Sequence, residues 1–119
     1  MKKNILILDD DSDILFFCSH VFKSIGFDVF TSENCNNIID KVEDTKPDII
    51  LIDNWIPDIG GIKAIKILKN TLHLKDIPVI LFSANSNLVE LALEAGADSY
   101  LKKPFDLDEL EKIVTDFVH

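Results

Sequence analysis

Ile5-Leu6-Ile7-Leu8-Asp9-Asp10-Asp11 sets four aliphatic residues directly before three acids, and this junction decides the fold. A strand with one wet face alternates apolar and polar residues, whereas an unbroken aliphatic run reads as a strand covered on both faces. Comparable runs follow at Phe27 to Phe30, Ile49-Ile50-Leu51-Ile52, Val79-Ile80-Leu81-Phe82 and Ser99-Tyr100-Leu101. Between them, apolar residues recur at helical spacing. Ile14, Phe17, Cys18, Val21, Phe22 and Ile25 make one stripe, stopped by Gly26; Cys35, Ile38, Ile39 and Val42 make a second, ended by Lys46-Pro47. Ile62, Ile65, Leu68 and Leu72 make a third. Leu88, Leu91, Ala92 and Ala95 before Gly96 make a fourth, and Leu107, Leu110, Ile113, Val114 and Phe117, opened by Asp106 as N-cap, make the last. Strands joined by helical crossovers run parallel, so the pattern predicts an α/β domain with a five-stranded parallel sheet, doubly wound by helices on both faces.

The chain has 119 residues, 47% of them apolar and 28% charged, which fits one globular domain over 1–119. Folding at this size hides roughly two-thirds of the surface of the unfolded chain, so a core forms without disulfides or structural metal. Cys18 and Cys35 lie among apolar residues and read as reduced core thiols. The net charge is -9, and all 12 basic residues are lysine. Such a chain repels polyanions and lacks the guanidinium fork that clamps guanine or phosphate, so no direct nucleic-acid binding is expected of this segment. Met1-Lys2-Lys3 before the first apolar run imitates a secretory leader, but the aspartates end that run too early. A membrane-crossing helix needs about 20 apolar residues, and no such stretch occurs. The expectation is a soluble cytoplasmic protein.

In doubly wound sheets, ligands collect beyond the carboxyl ends of the strands. Asp9, Asp10 and Asp11 follow the first run, Asp53 the third, Ser83 the fourth, and Lys102 and Lys103 before Pro104 the fifth. Carboxylates gathered in one place repel unless a cation neutralises them, which implies a divalent metal with oxygen ligands; few carboxylates with room for water and phosphate favour Mg²⁺. A lysine facing the same cleft adds a point charge for phosphate oxygens. Aspartates after strands also cap helices, and that plainer role suits Asp11 or Ser12, with Asp13 in solvent. Capping does not predict acids on two strand ends together with a hydroxyl and a lysine on two others.

Other motifs fail. Asp9, Asp11 and Asp13 imitate a calcium loop, but its turn-glycine position holds Ile14 and its closing glutamate position holds His20. Gly60-Gly61 is too short for a phosphate-cradling loop. His20 and His73 fall away from the strand ends, so neither they nor His119 support a Ser-His-Asp arrangement.

These residues resemble the receiver domain of two-component response regulators, from Lys3 to about Phe117. The matching segments are Ile5 to Asp11, Leu51-Ile52-Asp53 through Pro57-Asp58-Ile59-Gly60-Gly61, Ile80-Leu81-Phe82-Ser83-Ala84, and Ala95 through Lys103-Pro104-Phe105. The resemblance implies a flavodoxin-like (βα)5 fold and a phosphoacceptor that takes its phosphoryl group from a phosphohistidine. By position, Asp53 would accept the phosphoryl group; Asp9, Asp10, Asp53 and the backbone carbonyl of Trp55 would hold Mg²⁺. Ser83 and Lys103, rather than Lys102, would bind phosphoryl oxygens, and a cis Lys103–Pro104 peptide would aim the lysine. Ser83 and Tyr100 would switch together, altering the face around the fourth helix, fifth strand and fifth helix. The implied partners are a sensor histidine kinase or histidine phosphotransfer protein, and a downstream protein or an output domain missing from this chain. Turnover catalysis is not implied, only Mg²⁺-dependent self-phosphorylation and self-dephosphorylation.

Three features depart from the family pattern. Trp55 is bulky and would shield an acylphosphate from water, slowing its loss. Gly60 replaces a polar residue and loosens its loop, and the stretch from Ser83 to Gly96 leaves a reduced fourth helix, with Val89 and Leu93 on its outer side. Two other function classes compete. A haloacid-dehalogenase-like phosphohydrolase would use Asp9 as nucleophile and Asp11 as acid, but expects Thr or Val where Asp13 stands. A phosphorylation-independent binding module would keep only the shape.

Overall fold

Five-residue strands at Asn4–Leu8 (β1), Ile49–Asp53 (β3) and Val79–Ser83 (β4) form the middle of the sheet, and β3 and β4 are buried at every position. Asp28–Ser32 (β2) and Ser99–Lys102 (β5) are the edges and are partly exposed. The computed structural model describes residues 2–56 and 59–118; Met1, His119 and, from the third strand's loop, Pro57 and Asp58 lie outside the described residues. All pairings are parallel in the order β2-β1-β3-β4-β5. The helices are Ser12–Ser24 (α1), Ile38–Thr45 (α2), Gly61–Lys69 (α3), Leu88–Ala95 (α4) and Leu107–Phe117 (α5). The doubly wound flavodoxin-like reading therefore holds.

Strand alternation divides the core in two. Ile5, Ile7, Ile49, Leu51, Ile80 and Phe82 face the helices α1 and α5. Leu6, Leu8, Ile50, Ile52, Val79 and Leu81 face α2, α3 and α4. Continuous aliphatic runs are the only sequence that satisfies both layers. Cys18 and Cys35 belong to opposite layers and are free; burial pushes their thiols up to about 12 and about 11.

Helix ends follow the expected chemistry. Asp11 caps α1 by accepting the amides of Asp13 and Ile14, and Asp106 caps α5 by accepting that of Glu109. Three stripes needed correction, and in α5 the expected stripe residue Leu107 is exposed. Leu72 lies beyond α3 and is 79% exposed, while Leu74 turns inward in its place. On α1, Leu15 is buried, and Phe17 and Ile25, expected in the stripe, stand at its exposed margin. α4 has eight residues, as short as its segment suggested, and leaves Val89 and Leu93 exposed.

Strand order turns around between β1 and β3, since β2 lies on one side of β1 and β3 on the other. That crevice ends in Asp9 and Asp53, and Gly61 lets α3 begin against it. A Cβ at Gly61 would collide with the Asp53 carbonyl oxygen and stand 2.9 Å from Ile52 Cγ2. Because the obstacle is backbone, it cannot swing aside as a flexible side chain does. Gly61→Ala is therefore expected to destabilise the domain by about 1–3 kcal/mol, the range for overpacking, read as a lower urea midpoint; an unchanged midpoint would show that the strand end yields freely.

Candidate functional site

The register Leu8↔Ile52 brings the residues after β1 and at the end of β3 side by side. Asp9 is 0% and Asp53 4% exposed, and Asp10 stands at the rim in solvent. One carboxylate oxygen from each of Asp9, Asp10 and Asp53 lies within 4.8 Å of the other two. Lys103 enters from the far side of β4. Its amide donates to the Ser83 carbonyl at 3.0 Å, and its peptide bond to Pro104 is cis. Its ammonium donates to Asp53 Oδ1 at 2.7 Å and to Asp9 Oδ2 at 2.8 Å, and lies 5.2 Å from the centre of the Phe82 ring.

Each aspartate uses its second oxygen locally. Asp9 Oδ1 accepts the amide of Asp11 at 2.9 Å, and Asp53 Oδ2 accepts that of Trp55 at 2.9 Å. Ser83, buried at the end of β4, does likewise: its Oγ accepts the amide of Asn85 at 3.0 Å. Side chains that bond two residues ahead turn the chain as it leaves a strand. Asp9 and Asp53 thus form turns with one carboxylate oxygen and present the other to Lys103.

The structure brings together Asp9, Asp10, Asp53 and Lys103. Ser83 occupies the adjoining strand end, but its Oγ makes no hydrogen bond to Asp53 or to Lys103 among the described residues. Tyr100 is 43% exposed on the edge strand, and Lys102 points to solvent. Trp55 contributes its amide to Asp53, and the residue is 73% exposed. Sequence reasoning missed that amide and the close approach of Gly61. Backbone donors carry no residue signature, though an aspartate ending a strand is itself the signal for such a turn.

Burial raises the Asp53 carboxyl above its ordinary range; the Lys103 hydrogen bond opposes this and the Asp9 charge adds to it. Burial pulls Lys103 downward, but its hydrogen bonds to Asp53 and Asp9 and their charges outweigh that and leave it raised, hence protonated. One ammonium shared by two buried carboxylates, with Asp10 beside them, leaves excess negative charge. An all-oxygen donor set of this charge suits a hard divalent cation such as Mg²⁺.

A family profile described as the response regulator receiver domain matches residues 5–115. Regulatory protein AtoC of Escherichia coli K12 is 40% identical over 113 residues, covering 92% of this chain and 24% of AtoC. The chain spans between 24% and 49% of the length of the first curated relatives it matches. A putative response regulator from Chloroflexus aurantiacus superposes with a TM-score of 0.91 at 25% identity, over 98% of both chains. The receiver domain of sensor histidine kinase PA1611 from Pseudomonas aeruginosa PAO1, solved with a magnesium ion coordinated in its active site cleft, does so with 0.89 at 25% identity, again over 98% of both.

The raised Asp53 carboxyl has a consequence for stability. A group whose folded value is raised contributes stability that is complete below the ordinary carboxylate range, about pH 4, and lost as pH rises through the folded value. Asn at this position imitates the protonated acid. In metal-free buffer, Asp53→Asn is expected to match the native chain near pH 4 and to be the more stable of the two near pH 7. Urea midpoints across this range check it, and a native advantage at neutral pH would contradict it.

Proposed function

The chain belongs to the response regulator receiver domain family, a class of phosphoacceptor signalling domains rather than turnover enzymes, and on that premise we propose that Asp53 is its phosphoacceptor. This assignment sets aside the haloacid-dehalogenase-like hydrolase built on Asp9 and the phosphorylation-independent module. The observation that carries it is the placement of Asp53 at the strand-order crevice, nearly buried and held at 2.7 Å by the Lys103 ammonium.

Receiver domains work with histidine kinases, so the phosphoryl group comes from a phosphohistidine of a sensor kinase or a histidine phosphotransfer protein. A phosphorus–nitrogen bond breaks as an Asp53 oxygen–phosphorus bond forms, and the departing imidazole takes up a proton. Transfer of this kind asks mainly for alignment and charge neutralisation. Mg²⁺, held by Asp9, Asp10, Asp53 and the Trp55 carbonyl, would neutralise the phosphoryl oxygens. Lys103 keeps its proton and passes from the Asp53 carboxylate to a phosphoryl oxygen. The Trp55 amide fixes the orientation of the Asp53 carboxylate. Ser83 Oγ accepts from Asn85, which leaves its hydroxyl hydrogen to donate to the phosphoryl group. Drawing Ser83 inward opens the space into which Tyr100 turns, altering the α4–β5–α5 face.

Residues 1–119 act as one receiver domain, and the output lies in a downstream protein or a further domain. Curated relatives include DNA-binding regulators such as MtrA, but an acidic chain with net charge -9 is poorly suited to touching DNA itself. Among the described residues no helix is long and apolar enough to cross a membrane, and a cytoplasmic location is proposed.

Incubation with acetyl phosphate and Mg²⁺ is expected to add the mass of one phosphoryl group, mapped to Asp53. Asp53→Asn abolishes it, and Lys103→Met slows it by on the order of 10²-fold, the effect of removing one charged donor at such a site. Chelation of the metal with EDTA stops it. Label on Asp9 would revive the hydrolase reading, and no label on any residue would sink the assignment.

A further inference from the structure

Immediately beside the phosphoacceptor strand, a groove of about 510 Å³ runs between Trp55 and the outer face of α3. Its walls include Ile59, Ile62, Lys63 and Lys66, and no acid is among those of its lining residues that the structure describes. That is unusual in a chain of net charge -9, whose neighbouring cleft is acidic. The lysines of α3 serve different ends. Lys69 is committed to the fold, donating to the carbonyls of Lys75 and Ile77 and pairing with Asp98 at 2.7 Å. Lys66 pairs with Glu94 at 3.2 Å in an exposed contact worth little. Lys63 is exposed and, among the described residues, makes no ion pair.

We propose that this groove docks an acidic segment of a partner protein, with aliphatic side chains against Trp55 and Ile62 and carboxylates on Lys63 and Lys66. Charge complementarity selects the occupant. Two ammoniums one helical turn apart, about 5–6 Å at Cβ, match acids at similar spacing on a helix or extended chain. A small anion is disfavoured, because compact ligands bind where most of their surface is enclosed, and here the aromatic wall is 73% in water. An exposed tryptophan flanked by cations is the residue type that anchors protein interfaces. The docking does not depend on Asp53 being phosphorylated, since neither lysine belongs to the acidic cleft.

Trp55 is the chain's one tryptophan, so its fluorescence reports the groove directly. The probe is a soluble synthetic peptide of glutamate, alanine and leucine, with its lysine-for-glutamate counterpart and ADP as comparisons. The acidic peptide is expected to give a saturable shift that weakens with salt. Lys63→Glu should weaken it about tenfold or more, near 1.4 kcal/mol, while Lys63→Arg retains it. Acetyl phosphate labelling of both variants should equal that of the native chain, which separates failure here from failure of the phosphoacceptor assignment. No spectral shift, a shift indifferent to Lys63→Glu, an equal response to the lysine peptide, or a response to ADP alone would each overturn the proposal.

Discussion

Lys103 stands between two buried carboxylates, 2.7 Å from Asp53 and 2.8 Å from Asp9, and the geometry of the whole strand-end surface depends on that bridge. Two aspartates on adjacent strands at this depth repel; each also loses hydration on folding. The ammonium offsets part of that cost from the end of β5, with β4 lying between its own strand and the acids. It reaches them only if three conditions hold together. The register must set Leu8 against Ile52, Lys103 must be anchored to the Ser83 carbonyl, and its side chain must pass beside Phe82. A slip of one residue in any central strand would invert its two faces and send the acid into a helix layer. The aliphatic packing that fixes register is therefore also what makes the charges meet.

The strand ends share one economy of atoms. Asp9, Asp53 and Ser83 each bind the amide two residues ahead, which steers the chain out of the sheet and orients the side chain. A carboxylate has a second oxygen to spare, and a hydroxyl that accepts still has a hydrogen to donate. Side-chain turns therefore leave functional atoms exposed to the crevice, whereas an apolar residue at any of these positions would lose turn and chemistry together. Gly61 completes the arrangement from the opposite direction, because α3 begins where a methyl group would strike the Asp53 carbonyl.

How much of this was legible in the sequence follows from which interactions are local. The central strands β1, β3 and β4 were readable because burial on both faces demands unbroken apolar runs, and the caps at Asp11 and Asp106 were readable because capping is decided within a few residues. Helical stripes were less so. Leu72 continues the period of α3, but the helix stops at Lys69 and the following turn brings Leu74 inward instead. On α1, Leu15 is buried and Phe17 is exposed at its margin, a choice that periodicity alone does not contain. At the site, the acids and the lysine could be named from their places after apolar runs. The Trp55 amide could not be named from residue type, since every residue but proline has one, and neither could the close approach of Gly61 to the Asp53 carbonyl, which is set by how α3 packs against β3.

The central strands and the edges differ in how freely they can respond to a change at Asp53. β3 and β4 are buried throughout, so a shift there would disturb both core layers. α4 is the opposite case: eight residues, no side-chain cap from Asn87, and small buried residues at Ala92 and Ala95. Helices this short have little stability of their own. A chain of hydrogen bonds joins the two regions. The Asn85 amide donates to Ser83 Oγ, the Asn87 amide to Asn85 Oδ1, and the Leu88 amide to the Asn85 carbonyl. In the proposed switch, Ser83 Oγ would move toward a phosphoryl oxygen and so away from the Asn85 amide, and the first link would weaken. The start of α4 would then be released from its tether without any movement of the sheet, and a change of one bond at a rigid strand end would reach the edge where Tyr100 is already half in water.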